Sequence, residues 1–227
     1  MIIRKNKILS IDWSNIETVL LDMDGTLLDL HYDDYFWTEY LPQEYARIKH
    51  LTLQEAKSQL YPRFKAMEGK LEWYSTDFWS EELQMNIPAL KAEVSHLIAI
   101  HDGVIEFLHT ARKVGKTIKL VTNAHPDVLA LKMHHTQLEN LFDAIISSHE
   151  FKLPKENPEF WHRLVEQHRF DPEHTLFIDD SISVLKSAQN YGIKYLLSIE
   201  KPSSQKPART ENEFIMLKSF RELTPHH

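Results

Sequence analysis

The chain has 227 residues, 42% of them apolar, and a formal net charge of −7. That apolar content is enough for a real core and argues against disorder, while the acidic balance argues against general nucleic-acid binding, which relies on Lys and Arg along phosphates. With no cysteine present, disulfides, thiolate metal sites and cysteine nucleophiles are excluded.

The N-terminal stretch "MIIRKNKILSIDW" lacks the continuous apolar segment and small-residue cleavage site of a signal peptide. No later run approaches the ~20 apolar residues of a membrane span. A cytoplasmic protein without a membrane partner is the expectation. The first strand-like run is 18–21, "TVLL", and it stops at two acids, Asp22 and Asp24, followed at once by Gly25. Residues 29 to 100 then hold many helical patterns and no convincing strand. This is far longer than an ordinary connection, and it predicts a helical subdomain inserted above the C-terminal end of the first strand. The expected division is 1–28 with 101–227 as one domain and 29–100 as the insertion.

Beyond residue 100, strands and helices alternate. "DGVIEFLHTARKV" (102–114) places Val104, Phe107, Leu108 and Ala111 on one helix face, and Gly115 ends it. Strand runs follow at 117–121, 144–147, 175–178 and 194–199. Helices are predicted at 126–138, where Pro126 suits the first turn, at 157–168 and at 182–191, which Gly192 stops. Such alternation implies an α/β fold with a doubly wound parallel sheet covered on both faces. Residues 201–212 read as an exposed loop, and 215–223 as a short closing helix.

In such a sheet the ligand lies beyond the carboxyl ends of the strands. After the first strand come Asp22 and Asp24; after the second, Thr122 and Asn123. Lys155 follows the third, and Asp179 and Asp180 follow the fourth. Asp22, Asp179 and Asp180 together carry too much negative charge to stand unneutralised, and a hard divalent cation such as Mg²⁺ would resolve it with oxygen ligands. Metal and Lys155 would neutralise a phosphate, Thr122 and Asn123 can donate to its oxygens, and the helix starting near Pro126 would aim its positive end there. Phosphoryl transfer needs mainly positioning and charge neutralisation, and this set supplies both.

"DMDGT" at 22–26, Thr122, Lys155 and Asp179-Asp180 resemble, in order, the four motifs of the haloacid dehalogenase (HAD) superfamily. The resemblance implies a Rossmann-like core with strand order 5-4-1-2-3 and a helical cap in the long insertion. It also implies an Mg²⁺-dependent phosphomonoester hydrolase with an aspartyl-phosphate intermediate. Asp22 matches the nucleophile. Asp24 matches the acid that protonates the leaving oxygen and then activates water, its carbonyl binding the metal. Thr122 and Lys155 match the phosphoryl-holding groups. Asp180 matches a metal ligand, with Asp179 a second ligand or an outer group. Asp24 favours a phosphatase or phosphomutase, because dehalogenases lack this second acid.

The cap stretches "YDDYFWTEY" (32–40) and "LEWYSTDFWSEEL" (71–83) are aromatic. With "DMDGTLLDL" and "TNAHP" they resemble the GMP/IMP nucleotidase group of bacterial HAD phosphatases, implying a purine nucleoside monophosphate substrate. Trp37, Trp73, Tyr74 and Trp79 are the candidates to meet a base, and core packing competes for each. His125, beside the phosphate turn, either touches substrate or caps the loop. The donors and acceptors proposed for the base edge are Glu72, Ser75, Thr76 and Asp77. The 14 histidines show no HExxH spacing, so no zinc site is expected. A phosphatase for a sugar phosphate or phosphoglycolate is the rival within the superfamily, and a phosphomutase stays open. A receiver-like domain or a catalytically dead binding module is the non-enzymatic alternative. The sequence leaves the oligomeric state open.

Overall fold

A computed structural model describes residues 2–5 and 8–225. Met1, Asn6 and Lys7, within the N-terminal stretch read above, lie outside the described residues. A short antiparallel hairpin, β1 (Ile2–Lys5) and β2 (Ile8–Ile11), precedes the main sheet. The sheet then uses β3 (Thr18–Leu21), β4 (Thr117–Thr122), β5 (Ala144–Ser147), β6 (Thr175–Ile178), β7 (Tyr195–Ile199) and β8 (Met216–Leu217). They lie in the order β5-β4-β3-β6-β7-β8, and every pairing is parallel. The expected five-strand order is therefore present, with one strand added at its edge. β3 sits between β4 and β6, so the topological switch falls beside the Asp22 strand, where α/β sheets bind ligands.

Alternation along the strands builds both faces, because successive side chains of a strand point to opposite sides. Val19, Leu21, Ile118, Leu120, Leu176 and Ile178 enter one apolar cluster; Leu20, Val121, Ile146 and Phe177 enter another. The helices behave as their patterns predict. Val104, Phe107, Leu108 and Ala111 are all buried on the helix Val104–Lys113, and further helices run Pro126–Thr136, Pro158–His168 and Ile182–Tyr191.

Between β3 and β4 the chain is helical: His31–Tyr35, Leu41–Lys49, Leu53–Met67, Leu71–Tyr74, Thr76–Leu83 and Ile87–Glu93. A π-helical turn, Phe36–Tyr40, joins the first two. Thr52 and Glu55 form a capping box that starts the longest of these helices. The insertion shares its apolar cluster with the sheet, from Val19 and Met23 through Tyr32 and Phe36 to Trp79 and Ile87.

The closing helix expected at 215–223 does not form. Leu217, Phe220 and Leu223 are spaced as a helix would space them, but β7 offers an unpaired edge. Ser198 N–H bonds Ile215 O at 2.9 Å and Glu200 N–H bonds Leu217 O at 2.9 Å, so the segment adds a strand instead. Only a 3-10 turn, Phe220–Glu222, follows, with Phe220 packed against Phe107 at 5.3 Å between ring centroids. Among the described residues no helix is long and apolar enough to cross a membrane.

Candidate active site

Asp22 continues the ladder of β3, its N–H bonding Ile178 O at 3.0 Å, which sets its carboxylate at the C-terminal edge of the sheet. Met23 turns inward and is buried. Gly25 takes φ +82°, and a Cβ there would stand 2.8 Å from Asp180 Cγ. Glycine is thus required twice, for the left-handed turn and for the close approach of a carboxylate.

Lys155 is 2% exposed and reaches three oxygens. Its Nζ meets Asp22 Oδ1 at 2.6 Å, Asp179 Oδ2 at 2.7 Å and Val121 O at 3.0 Å. Asp179 is bonded at both oxygens, because Ser181 N–H donates to its Oδ1 at 2.8 Å. Thr122 is buried, and its Oγ1 accepts from Ala124 N–H at 3.0 Å, which leaves its own hydroxyl hydrogen to donate. Asn123 Oδ1 accepts from Lys155 N–H at 2.9 Å and its Nδ2 donates one hydrogen to Glu156 Oε2 at 3.0 Å, so the amide pins the Lys155 loop and keeps its second N–H. Asp180 is held from the far loop: Arg209 Nη1 donates to its carbonyl at 2.5 Å and Nη2 to its Oδ2 at 3.3 Å.

Asp24 stands two residues on, at the wall of a cavity. Lys132 Nζ contacts Asp24 Oδ1 at 2.6 Å and Asp33 Oδ2 at 2.5 Å, and Lys91 Nζ contacts Asp33 Oδ1 at 2.9 Å. Sequence reasoning missed Lys132, Asp33, Lys91 and Arg209. One signal was available. Lys132 falls four residues after Val128 on the buried face of its helix, and a lysine on a core face implies a buried anion.

Burial is the main cause of the site's electrostatics. It pushes Asp24 up to about 6, with Asp33 and Asp22 adding to the effect and Lys132 opposing it. Burial, then Asp22, pushes Asp180 up to about 7 against Arg209. Asp179 is raised by burial despite Lys155. Asp33 shows the reverse outcome: burial would raise it, but Lys132 and Lys91 outweigh burial and hold it at about 2. Lys155 resists burial because Asp179 and Asp22 raise it.

Asp22, Asp179 and Asp180 bring ligand oxygens within 4.8 Å of one another. An all-oxygen set of this kind suits a hard divalent cation. Asp22 and Asp180 each keep an oxygen that no described residue bonds. Both Asp179 oxygens already accept a hydrogen bond, and each keeps a second lone pair, so a direct and an outer role both fit.

The cavity beside Asp24 measures about 650 Å³, within the usual range for small-molecule sites. Trp37, Trp73, Tyr74 and His125 all line it, together with Phe64 and Tyr61. Trp37 comes from the π-helical turn, a feature frequent at functional sites, and stacks on Trp73 at 5.6 Å. Trp79 does not line it: it is 0% exposed, packs edge-on to Trp37 and donates its Nε1–H to Trp73 O. Glu72, Ser75, Thr76 and Asp77 are also absent from the wall, where Asp34, Thr38, Lys65 and Glu68 stand instead. Ser75 caps its helix, and Thr76 Oγ1 meets His125 Nδ1 at 2.8 Å. Tyr74 O–H donates to Glu156 Oε1 at 2.8 Å and so ties the insertion to the Lys155 loop.

A parallel sheet with this switch point, a helical insertion after its first strand and this order of Asp, Thr, Lys and paired Asp define one class of hydrolase. Residues 19–198 match the haloacid dehalogenase-like hydrolase family, and the chain belongs to it. Among characterised proteins it is 38% identical over 217 residues to the GMP/IMP nucleotidase YrfG of Escherichia coli (strain K12), covering 96% of this chain and 98% of that protein. The pyrophosphatase PpaX of Bacillus pumilus is 24% identical, covering 80% and 82%. Among solved structures, a HAD phosphatase from Thermococcus onnurineus aligns with a TM-score of 0.75 at 18% identity, covering 91% of this chain and 95% of that one. A HAD-hydrolase from Bacillus subtilis, bound to magnesium, aligns with a TM-score of 0.64 at 17% identity, covering 91% and 96%.

Proposed function

We propose that the protein is a 5′-nucleotidase that hydrolyses purine nucleoside monophosphates, with GMP and IMP preferred, through a phosphorylated Asp22. The observation that carries this is the aromatic cavity opening on Asp24, two residues from Asp22. The 38% identical relative, a GMP/IMP nucleotidase, supports it. In this reading residues 29–100 act as the cap that selects substrate, and 1–28 with 101–227 as the core that carries the chemistry. In this reading the activity is cytoplasmic, as expected for small phosphorylated metabolites.

The unbonded oxygen of Asp22 attacks phosphorus as its other oxygen is held by Lys155. Asp24 gives its proton to the departing 5′-oxygen, then takes one from the water that attacks the aspartyl phosphate. A carboxyl raised to about 6 suits both duties near neutral pH. Lys155 neutralises charge on the transferring group and Thr122 donates its hydroxyl hydrogen to it. Mg²⁺, held by Asp22, Asp180 and the Asp24 carbonyl with Asp179 a further ligand or an outer group, would supply further charge neutralisation. Trp37 and Trp73 offer a stacking wall for the base. Asp34 and Glu68 are the wall carboxylates able to accept the ring N–H that guanine and hypoxanthine share and adenine lacks.

The test compares kcat/KM for GMP, IMP, AMP, UMP, glucose 6-phosphate, phosphoglycolate and pyrophosphate with Mg²⁺ present. GMP and IMP should lead, with AMP behind by about tenfold or more, because a site built for the ring N–H leaves polar groups unpaired with adenine. If a sugar phosphate or phosphoglycolate exceeds both by a similar factor, the nucleotidase reading fails and only a phosphatase of other specificity survives.

A further inference from the structure

Lys132 has no part in the chemistry above, yet it is 1% exposed and carries an ammonium group. Burial of such a group demands anionic partners, and its two are Asp24 and Asp33. None of its bonds reaches Asp22, Asp179 or Asp180, so its bonded link to the site is Asp24. The contact takes Oδ1 of Asp24 and leaves Oδ2 without a bond from any described residue, on a side chain that forms part of the cavity wall. Anchoring one carboxylate oxygen sets the direction of the other. Proton transfer to a leaving oxygen needs contact at ~2.6–3.2 Å, so that direction decides the rate.

The second anchor comes from the insertion. Asp33 lies on its first helix, and Lys91, from its last, holds the other Asp33 oxygen while sitting 4.4 Å above the Phe36 ring. Asp24, Lys132, Asp33 and Lys91 thus form a row of alternating charge that crosses from the sheet domain into the helical insertion. We infer that Lys132 is a positioning residue: it aims the free oxygen of Asp24 at the leaving group and makes that aim depend on the insertion being seated on the core. The inference rests on the phosphatase reading of Asp22 and Asp24.

The variant Lys132→Met, of similar length and without charge, separates this from a purely structural role. Its kcat/KM is measured on GMP and on p-nitrophenyl phosphate with Mg²⁺ present, beside wild type and Asp22→Asn. The nitrophenolate leaves without a proton, and kcat/KM reports only steps up to the first irreversible one. The expected loss is roughly 10²-fold on GMP and less than about tenfold on the nitrophenyl ester, following the usual worth of a general acid. Equal losses on the two esters, or none, overturn the inference while leaving the phosphatase reading intact. Should Lys132→Met fail to fold, Asp33→Asn decides, since it keeps Lys132 and removes the charge of its second anchor. The same substrate-dependent pattern, smaller in size, supports the inference, and equal or absent losses overturn it. A wild-type protein that turns over neither ester, or an Asp22→Asn variant that retains turnover, removes the phosphatase reading and this inference with it.

Discussion

Two buried lysines are each clamped between two aspartates in this molecule, and they differ in what they join. Lys155 links Asp22 and Asp179, and all three follow strands of one sheet. Lys132 links Asp24 on the core to Asp33 on the helical insertion. The first bridge is drier: Asp22 and Asp179 side chains are 8% and 1% exposed, against 24% and 18% for Asp24 and Asp33. The first therefore belongs to a dry centre, whereas the second crosses a seam between two parts of the chain and stays in reach of the cavity. On the proposed mechanism, the first bridge holds the phosphate site and the second the acid–base group.

The comparison breaks most visibly in stability. Lys155→Met strands two buried carboxylates and should cost about 3–5 kcal/mol in urea unfolding of the metal-free protein. Lys132→Met should cost less, because water reaches its partners. Equal costs would mean that the seam is as dry as the centre.

The cavity wall sharpens it next. Trp73→Ala removes a stacking surface and should weaken purine nucleotide binding by about 1–3 kcal/mol, read as a raised KM for GMP with p-nitrophenyl phosphate little changed. Trp79→Ala removes a fully buried ring instead and should lower stability by about 3–5 kcal/mol. A Trp73 variant with unchanged KM for GMP would take the base off that wall.

The smallest effect concerns protons. Asp180 holds its proton to about 7 in the fold but ionises near 3.8 when unfolded. Between those values the folded state binds the extra proton, so this group's contribution to stability falls as pH rises. A divalent cation takes the ionised form and must displace that proton at low pH. The gain in Tm from Mg²⁺ should accordingly grow between about pH 5 and pH 8. A gain that is flat or shrinks would remove Asp180 from the metal set.

The two bridges also mark how far the sequence could be read. Asp22, Thr122, Lys155, Asp179 and Asp180 were legible because each ends or follows a strand, and a parallel sheet gathers strand ends at one edge. Asp33 and Lys91 were not, because helix packing within the insertion decides which of its many acids and lysines turn inward. Arg209 lies in a polar loop with no periodicity to show that it reaches Asp180. Asn123 follows its strand as read, but its two partners, Glu156 and the Lys155 backbone, depend on a loop whose path no pattern reveals. The closing strand Met216–Leu217 was lost to helical spacing, because edge pairing is a tertiary opportunity. Trp79 and Trp73 look alike in "LEWYSTDFWSEEL", and only the packing separates a core ring from a cavity wall.

The most direct measurement of the central claim is to trap the intermediate. Asp24→Asn is mixed with p-nitrophenyl phosphate and Mg²⁺, quenched in acid, digested and examined by mass spectrometry. Its leaving group needs no acid, while the water step has lost its base, so a phosphoryl group should accumulate on the peptide that carries Asp22. It should vanish when Asp22→Asn is added to the same background. A burst of nitrophenol with no phosphorylated Asp22 peptide, or a phosphoryl group on another residue, would contradict the account.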